Sequence, residues 1–158
     1  MRPPMRRVSN VLMYGQHFLA RFIRPMTLGV RGLVIDGDNR ALLVRHSYVP
    51  GWHLPGGAVE AGETMRQALV RELAEEGCVE IAGEPVLHAI YHNTRFSRRD
   101  HVALYTIRNF KITGERKPDW EIVETGFFDM TALPEGTARA TRECIDEVLT
   151  GKPPRGLW

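Results

Sequence analysis

The sequence predicts a single α/β domain, and three observations support that fold class. The chain has 158 residues, a length that usually forms one hydrophobic core. Segments rich in Val and Leu alternate with two segments of helical periodicity. Neither a repeat nor a long Pro/Gly-rich linker divides these segments, so we expect them to share one core.

Charge and periodicity set the N-terminal segment apart. We expect a basic helical arm over residues 1–26, a domain over residues 27–151 and a tail over residues 152–158. In the arm, Leu19, Phe22 and Ile23 have helical spacing and Pro25 ends the pattern, which predicts an amphipathic helix. Residues 1–31 contain six arginines and no acid, whereas the whole chain has a formal net charge of only +2.

The basic arm suits several partners. It could bind RNA or a membrane surface through its charge. It could equally pack its apolar face against the domain or against a second copy of the chain in a homodimer. We favour protein packing because amphipathic faces usually lie against a core.

The composition argues against a membrane or secreted protein. Apolar runs are shorter than the roughly 18 residues of a membrane span, and the N-terminus lacks the pattern of a signal peptide. The two cysteines, Cys78 and Cys144, form neither a CxxC pair nor a disulfide pattern. We therefore expect a reduced, cytoplasmic location.

Five strand segments are expected along the domain. Thr27–Ile35 and Arg40–Arg45 flank the turn sequence Asp36–Asn39, which predicts a β-hairpin. Further strands are expected over residues 79–92, 101–111 and 125–129, with a polar, basic loop over residues 93–100.

Two helices are predicted in the domain. Thr64 is a good N-cap and Gln67 completes a capping box, so the first helix should span residues 64–76. A second helix is expected over residues 138–149, and Gly151 stops it.

The first helix places three acids close together near its end. Glu72, Glu75 and Glu76 are three and four residues apart, so they are neighbours on one side of the helix, and Glu72 and Glu76 flank its apolar ridge. Like charges at this spacing cost about 0.2–0.5 kcal/mol per pair even when exposed, and the negative end of the helix dipole adds to that cost. A solvated charged face is one interpretation. A divalent cation with oxygen ligands explains the inward position of the acids better.

The loop before the helix fits a cation site. Gly56 and Gly57 allow a tight turn and a close approach to a ligand, so a backbone carbonyl of this loop could complete the site. Glu63 is well placed to pair with Arg71 and so to fix the loop to the helix.

These residues resemble the signature of a known family, the Nudix box G-x5-E-x7-R-E-U-x-E-E-x-G-U, in which U is aliphatic. One position departs, because Cys78 stands where the box has glycine and Gly77 comes one place early. We expect the helix to end one residue sooner, with Gly77 as its cap. The matching residues are Gly57, Glu63, Arg71, Glu72, Leu73, Glu75, Glu76 and Val79.

The resemblance implies a fold and a metal site. The fold would be the Nudix α/β/α sandwich around a mixed β-sheet. The cation would be Mg²⁺ or Mn²⁺, held by Glu72, Glu75 and Glu76 with the Gly56 carbonyl, and one of these acids, most often the one at the Glu72 position, would orient or deprotonate the attacking water. Glu121 is our candidate for a further ligand from a later loop, although it could also be an exposed loop acid.

The resemblance also implies a reaction: hydrolysis of the diphosphate linkage of a nucleoside diphosphate derivative or a nucleoside triphosphate. Outer phosphate oxygens could be gripped by Arg45, Arg95, Arg98 or Arg99. A base could stack on aromatic side chains near loops, and the candidates are Trp52, Tyr48, Tyr91 and Phe96. The six histidines lack a metal-ligand spacing, and we expect surface or structural roles for them.

Two other functions remain open on the sequence. An RNA 5′-pyrophosphohydrolase would use the basic arm, and its RNA affinity would fall steeply with salt. A non-catalytic Nudix-like nucleotide sensor would bind without turnover; such domains usually lose acids of the box, and this chain keeps them all.

Overall fold

The computed structural model describes residues 26–158, so the predicted arm, apart from Met26, lies outside the described residues. Within residues 26–158 the chain forms eight β-strands and two α-helices. In chain order these are β1 (Thr27–Val34), β2 (Arg40–His46), β3 (Trp52–His53), α1 (Met65–Gly77), β4 (Val79–Ile81), β5 (Val86–His92), β6 (Asp100–Ile107), β7 (Phe110–Ile112), β8 (Ile122–Asp129) and α2 (Arg139–Thr150).

The strands form a mixed α/β arrangement, as predicted. β1 runs parallel to β6, and β6 pairs antiparallel with β5, in the order β1-β6-β5. A second sheet has the order β3-β2-β8, and β4 pairs with β7. All pairs except β1–β6 are antiparallel.

Strand β1 separates two buried clusters because its side chains alternate between two faces. Val30 and Val34 pack in one cluster with Leu69 and Leu73 of α1. Leu33 packs in the other cluster, which contains Ile145 of α2. The two helices therefore lie over opposite faces of β1.

The predicted hairpin between residues 27–35 and 40–45 is wrong, although its turn is present. Asp36 accepts hydrogen bonds from the backbone N–H groups of Asp38 and Arg40, and Asn39 has a φ of 57°. Beyond the turn, β1 and β2 share only the isolated bridge Ile35↔Ala41.

Both edges of β1 are already occupied, which explains why β2 cannot pair along it. One edge pairs with β6 from Thr27↔Asp100 to Val34↔Ile107. On the other edge, the loop before α1 forms three backbone hydrogen bonds: Val30 N to Gly57 O at 2.8 Å, Gly32 N to Pro55 O at 2.9 Å and Val59 N to Leu28 O at 2.8 Å. The turn residues determine where the chain reverses direction, but they do not determine which strand β2 pairs with.

Two other strand predictions require correction. The single strand expected over residues 79–92 is divided into β4 and β5, and Pro85 lies in the break, where a residue without an N–H is tolerated. The strand expected over residues 101–111 ends at Ile107, and β7 begins at Phe110.

The helix predictions are confirmed to within one residue. Thr64 caps α1, and its capping box with Gln67 is formed. Helix α2 begins at Arg139, and Gly151 follows it in the left-handed conformation.

The end of α1 differs from its prediction. Gly77 remains helical, and Cys78 takes the left-handed cap with φ 51° and ψ 39°. A Cβ at position 77 would lie 2.7 Å from Leu42 Cδ2, so Gly77 is needed for close packing of α1 on β2. Cys78 therefore adopts the left-handed cap conformation, which glycine would adopt without strain.

The tail over residues 152–158 packs on the edge of β5. The Trp158 N–H donates to His92 O at 3.1 Å, and the His92 N–H donates to Gly156 O at 2.9 Å. The Trp158 ring lies edge-on to Tyr91, with 5.6 Å between ring centroids. Within the described residues, helices long and apolar enough to cross a membrane are absent.

Replacing Cys78 by glycine should stabilise the protein. A left-handed conformation costs a residue with a Cβ about 1–2 kcal/mol, and loss of the cysteine side chain offsets part of the gain. We expect Cys78→Gly to raise the free energy of unfolding by about 1 kcal/mol, measured by urea denaturation under reducing conditions. Gly77→Ala is the matched control and should destabilise, because its Cβ would collide with Leu42; a stabilising Gly77→Ala would contradict this account of the helix end.

Candidate metal and diphosphate site

The three acids of α1 have very different environments. Glu76 is 5% exposed, and Glu72 is also largely shielded. The side chain of Glu75 is 63% exposed. The helical periodicity therefore placed Glu72 and Glu76 correctly beside the inward face.

The carboxyl group of Glu76 is buried and is bound to the glycine loop. Its Oε2 accepts a hydrogen bond from the Gly56 N–H at 2.7 Å. Burial raises the pKa of Glu76 to about 7, although that hydrogen bond and the nearby charge of Arg31 oppose the shift. A bound cation would relieve the cost of ionising this carboxylate.

Arg71 joins the loop to α1 as predicted. Its Nε and Nη2 donate to the two oxygens of Glu63, both at 3.0 Å. Its Nη1 donates to Glu72 Oε1 at 2.6 Å, and Nη2 also donates to Ala58 O at 3.1 Å. The hydrogen bonds with Glu63 and then Glu72 raise the pKa of Arg71 above its usual value, so this guanidinium stays charged and holds both carboxylates in place.

The glycines of the loop allow its close approach to α1 and β1. Gly56 has a φ of 136°, in the region that favours glycine. A Cβ at Gly57 would collide with the carboxylate of Glu72. The Gly56 carbonyl, a predicted metal ligand, accepts a hydrogen bond from Nη1 of Arg31.

Glu121 lies close to Glu76, and a residue that the sequence did not suggest accompanies it. One ligand atom each of His46, Glu76 and Glu121 lie within 4.8 Å of one another. The pairing of β2 with β8 brings Glu121 here, since the Ser47 N–H donates to Glu121 O at 2.9 Å. Sequence spacing gives no sign of this cluster, because its three residues come from distant parts of the chain.

His46 is held neutral in this cluster. Burial lowers the pKa of His46 to about 4, and the charge of Arg31 acts in the same direction. His46 Nε2 lies 3.8 Å from Glu76 Oε1.

The predicted phosphate-binding arginines are dispersed. Arg45 pairs with Glu124 at 2.9 Å on the surface of the β2–β8 sheet. Arg95 lines a cavity that also contains Arg155 and Trp158. Arg98 and Arg99 lie in the same loop as Arg95, between β5 and β6. Arg45 therefore belongs to the β3-β2-β8 sheet, and the other three arginines belong to a loop of the β1-β6-β5 sheet.

The predicted stacking residues divide into core and surface. Trp52 is 7% exposed and meets Phe128 edge-on at 4.7 Å between ring centroids. Tyr91 is fully buried and donates its hydroxyl to Glu147. Tyr48 and Phe96 are exposed, and Phe96 is 78% accessible. Of these four candidates, Tyr48 and Phe96 therefore have open rings.

A cavity of about 420 Å³ opens beside the glycine loop. Gly57, Arg31, Phe96 and Trp158 are among the residues that line it. Its buried Asp100 accepts hydrogen bonds from Thr27 Oγ1 at 2.7 Å and from Asn93 Nδ2 at 2.8 Å. Sequence reasoning missed Arg31, which contacts the Gly56 carbonyl and borders this cavity.

The fold and the site define a class of protein: an α/β domain with a carboxylate cluster suited to a divalent cation, on a helix that follows a glycine loop. Residues 25–148 match the family model described as the NUDIX domain. The chain therefore belongs to the Nudix family, which confirms the resemblance drawn from the box.

Relatives and solved structures agree with this placement. An ADP-ribose pyrophosphatase of Methanocaldococcus jannaschii is 35% identical over 105 residues, covering 65% of this chain and 62% of the relative. An 8-oxo-dGTP diphosphatase of Proteus vulgaris is 33% identical over 66 residues, covering 39% of this chain and 59% of the relative. The matches thus span less than two thirds of the length of either relative. The crystal structure of a MutT NUDIX hydrolase from Burkholderia pseudomallei has a TM-score of 0.66 at 23% identity, covering 77% of this chain and 97% of that one.

The Arg71 hydrogen-bond network should not tolerate even a conservative substitution. Lysine keeps the charge but cannot make four directed hydrogen bonds to Glu63, Glu72 and Ala58. We expect Arg71→Lys to lower the free energy of unfolding of the metal-free protein by about 1–2 kcal/mol, measured by urea denaturation.

The matched control for this change is on the same helix. Arg66 pairs only with Glu84, and both side chains are largely exposed, so Arg66→Lys should change stability by less than about 0.5 kcal/mol. Equal effects of the two substitutions would mean that Arg71 is an ordinary surface arginine.

Proposed function

We propose that this protein is a metal-dependent pyrophosphohydrolase that cleaves the diphosphate linkage of a nucleotide-like small molecule by attack of water at phosphorus. The observation that carries this proposal is the buried carboxylate of Glu76, fixed to the glycine loop beside a cavity that an arginine also enters. A buried carboxylate with a perturbed pKa beside a cavity is typical of a functional site that takes a cation and an anionic ligand. The names of the two relatives support a phosphorus anhydride as substrate.

The residues present fit Mg²⁺ or Mn²⁺. Carboxylate and carbonyl oxygens are the ligands that these ions prefer, and burial of Glu76 makes its ionised form costly unless a cation is near. When bound, such an ion neutralises the diphosphate and lowers the pKa of water. The residues that would hold it are Glu72, Glu75, Glu76, Glu121 and the Gly56 carbonyl.

Glu72 is our candidate for the acceptor of the water proton. Arg71 fixes Glu72 through Oε1, which leaves the second oxygen free to orient water. Arg71 and Glu63 do not touch the substrate in this proposal; they position Glu72 and the loop. Accurate positioning of this kind supplies much of the rate in phosphoryl transfer.

The cavity beside the loop would take the part of the substrate beyond the diphosphate. Arg31 lies at the boundary between the acids and the cavity, where it can contact phosphate oxygens. Phe96 offers an exposed ring on which a base can stack, and Asn93 with Asp100 offers polar groups for its edge. A nucleoside diphosphate derivative and a nucleoside triphosphate both suit this arrangement. We also propose a cytoplasmic location, which suits the two free cysteines.

Removing the charge of Glu76 or Glu75 should abolish most turnover. We expect Glu76→Gln and Glu75→Gln each to lower kcat at least about 100-fold, measured with Mg²⁺ as phosphate released from a panel that includes ADP-ribose, dGTP and 8-oxo-dGTP. Glutamine can still accept the hydrogen bond of the Gly56 N–H, so the Tm of metal-free Glu76→Gln should equal or exceed that of the wild type.

The control is Glu80→Gln. Glu80 is an exposed acid of β4 that pairs with Lys111, so its replacement should leave turnover unchanged. Near-normal rates in both helix variants would remove these acids from the site.

The open ring of Phe96 should contribute to substrate binding rather than to chemistry. Stacking on an aromatic ring is worth about 1–3 kcal/mol, so Phe96→Ala should raise KM about 5- to 150-fold with little change in kcat. Val86→Ala removes an exposed apolar side chain elsewhere and serves as the control. An unchanged KM for Phe96→Ala would place the substrate outside this cavity.

A further inference from the structure

His46 is a buried polar residue that the proposed reaction does not yet use. It is the last residue of β2 and 6% exposed. The pairing of β2 with β8 shifts register between Arg45 and His46. This irregularity lies at the strand end where Glu121 approaches, and bulges often re-aim side chains next to functional sites.

The imidazole of His46 lacks the partners that a buried ring normally has. Its Nδ1 is buried without a hydrogen-bond partner among the described residues. Its nearest ring neighbours, Tyr48 and His53, lie tilted at 5.1 Å and 5.9 Å between ring centroids. A buried nitrogen without a partner costs free energy, and the other ring nitrogen, Nε2, faces Glu76 Oε1 at 3.8 Å, a position from which it can bind a ligand shared with that carboxylate.

We propose that His46 supplies a nitrogen ligand to the cation held by Glu76 and Glu121, so that the site binds transition-metal ions in preference to Mg²⁺. This inference rests on the proposed metal-dependent function and specifies the ligand set of that site. Imidazole is a common metal ligand in its neutral form, and it faces two carboxylates.

The spacing of the cluster suits one shared ion after a small contraction. The three ligand atoms lie within 4.8 Å of one another. Three ligands spread evenly round one ion at about 2.0–2.1 Å are about 3.5 Å apart. Rotations that bring the three ligand atoms about 1 Å closer together would therefore let them meet a common ion.

The nitrogen donor predicts a selectivity that oxygen ligands alone would not give. Imidazole favours the later transition metals, whereas Mg²⁺ prefers an all-oxygen shell.

The test uses the full chain with Mn²⁺, followed by electron paramagnetic resonance. Pulsed measurements on the wild-type complex should show the coupling of an imidazole ¹⁴N to Mn²⁺. His46→Leu should lose this coupling and bind Co²⁺, a later transition metal, at least about 10-fold more weakly, while its Mg²⁺ affinity changes less than about threefold.

His53→Leu is the matched control. His53 lies beside His46 but uses its Nε2 to contact Pro50 O at 3.0 Å, so this variant should keep both the coupling and the Co²⁺ affinity. Thermal unfolding without metal checks that both variants fold; if His46→Leu does not fold, the wild-type coupling together with the His53→Leu spectrum decides.

The failures of the inference and of the proposed function can be distinguished. Bound Mn²⁺ with turnover but without nitrogen coupling would overturn the role of His46 and leave the hydrolase proposal intact. Loss of the coupling in His53→Leu would also overturn it. A protein that binds neither Mn²⁺ nor Mg²⁺ would overturn both.

Discussion

The hydrogen bond from the Gly56 N–H to the Glu76 carboxylate connects the glycine loop with α1, and the geometry of the site depends on it. The same loop forms backbone hydrogen bonds to the edge of β1 that does not pair with β6. The loop is thus joined to β1 by backbone hydrogen bonds and to α1 by the buried carboxyl group of Glu76. The arrangement tolerates little change, because a Cβ at Gly56 would collide with the backbone of Val30 and one at Gly57 with Glu72.

The use of β1 determines much of the remaining topology. With β6 on one edge and the loop on the other, β1 is enclosed, and its Val30, Leu33 and Val34 are fully buried. β2 must therefore leave β1 after the turn and pair with β8. The pairing of β2 with β8 places Glu121 close to Glu76. The position of Glu121 therefore follows from the exclusion of β2 from the β1-β6-β5 sheet.

Features governed by neighbouring residues could be predicted from the sequence. The capping box at Thr64, the extent of both helices and the inward position of Glu72 and Glu76 depend on contacts within a few residues. The spacing of Glu63 and Arg71 likewise predicted their pairing, because both belong to one continuous loop and helix.

Features governed by distant residues could not be predicted in the same way. The parallel pairing of β1 with β6, the meeting of His46 with Glu121 and the burial of Trp52 against Phe128 each join segments far apart in the chain. The prediction that Gly77 caps α1 was wrong for a related reason. Only the distant contact with Leu42 shows that Gly77 serves packing, which leaves Cys78 in the strained position.

The titration of Glu76 and His46 shows what this pocket favours. The raised pKa of Glu76 means that its contribution to stability is full below its unfolded pKa, near 4.5, and is lost as the pH rises through about 7. The lowered pKa of His46 acts in the opposite sense, since stability is lost as the pH falls from about 6.5 through about 4. The metal-free pocket thus penalises a negative carboxylate and a positive imidazole alike, because burial disfavours any isolated charge. A bound dication would lower the pKa of both groups, since it stabilises the ionised carboxylate of Glu76 and requires the neutral imidazole of His46. Burial therefore keeps His46 in the neutral form that a metal needs, whereas the carboxylate of Glu76 is favoured near neutral pH only when a cation binds beside it.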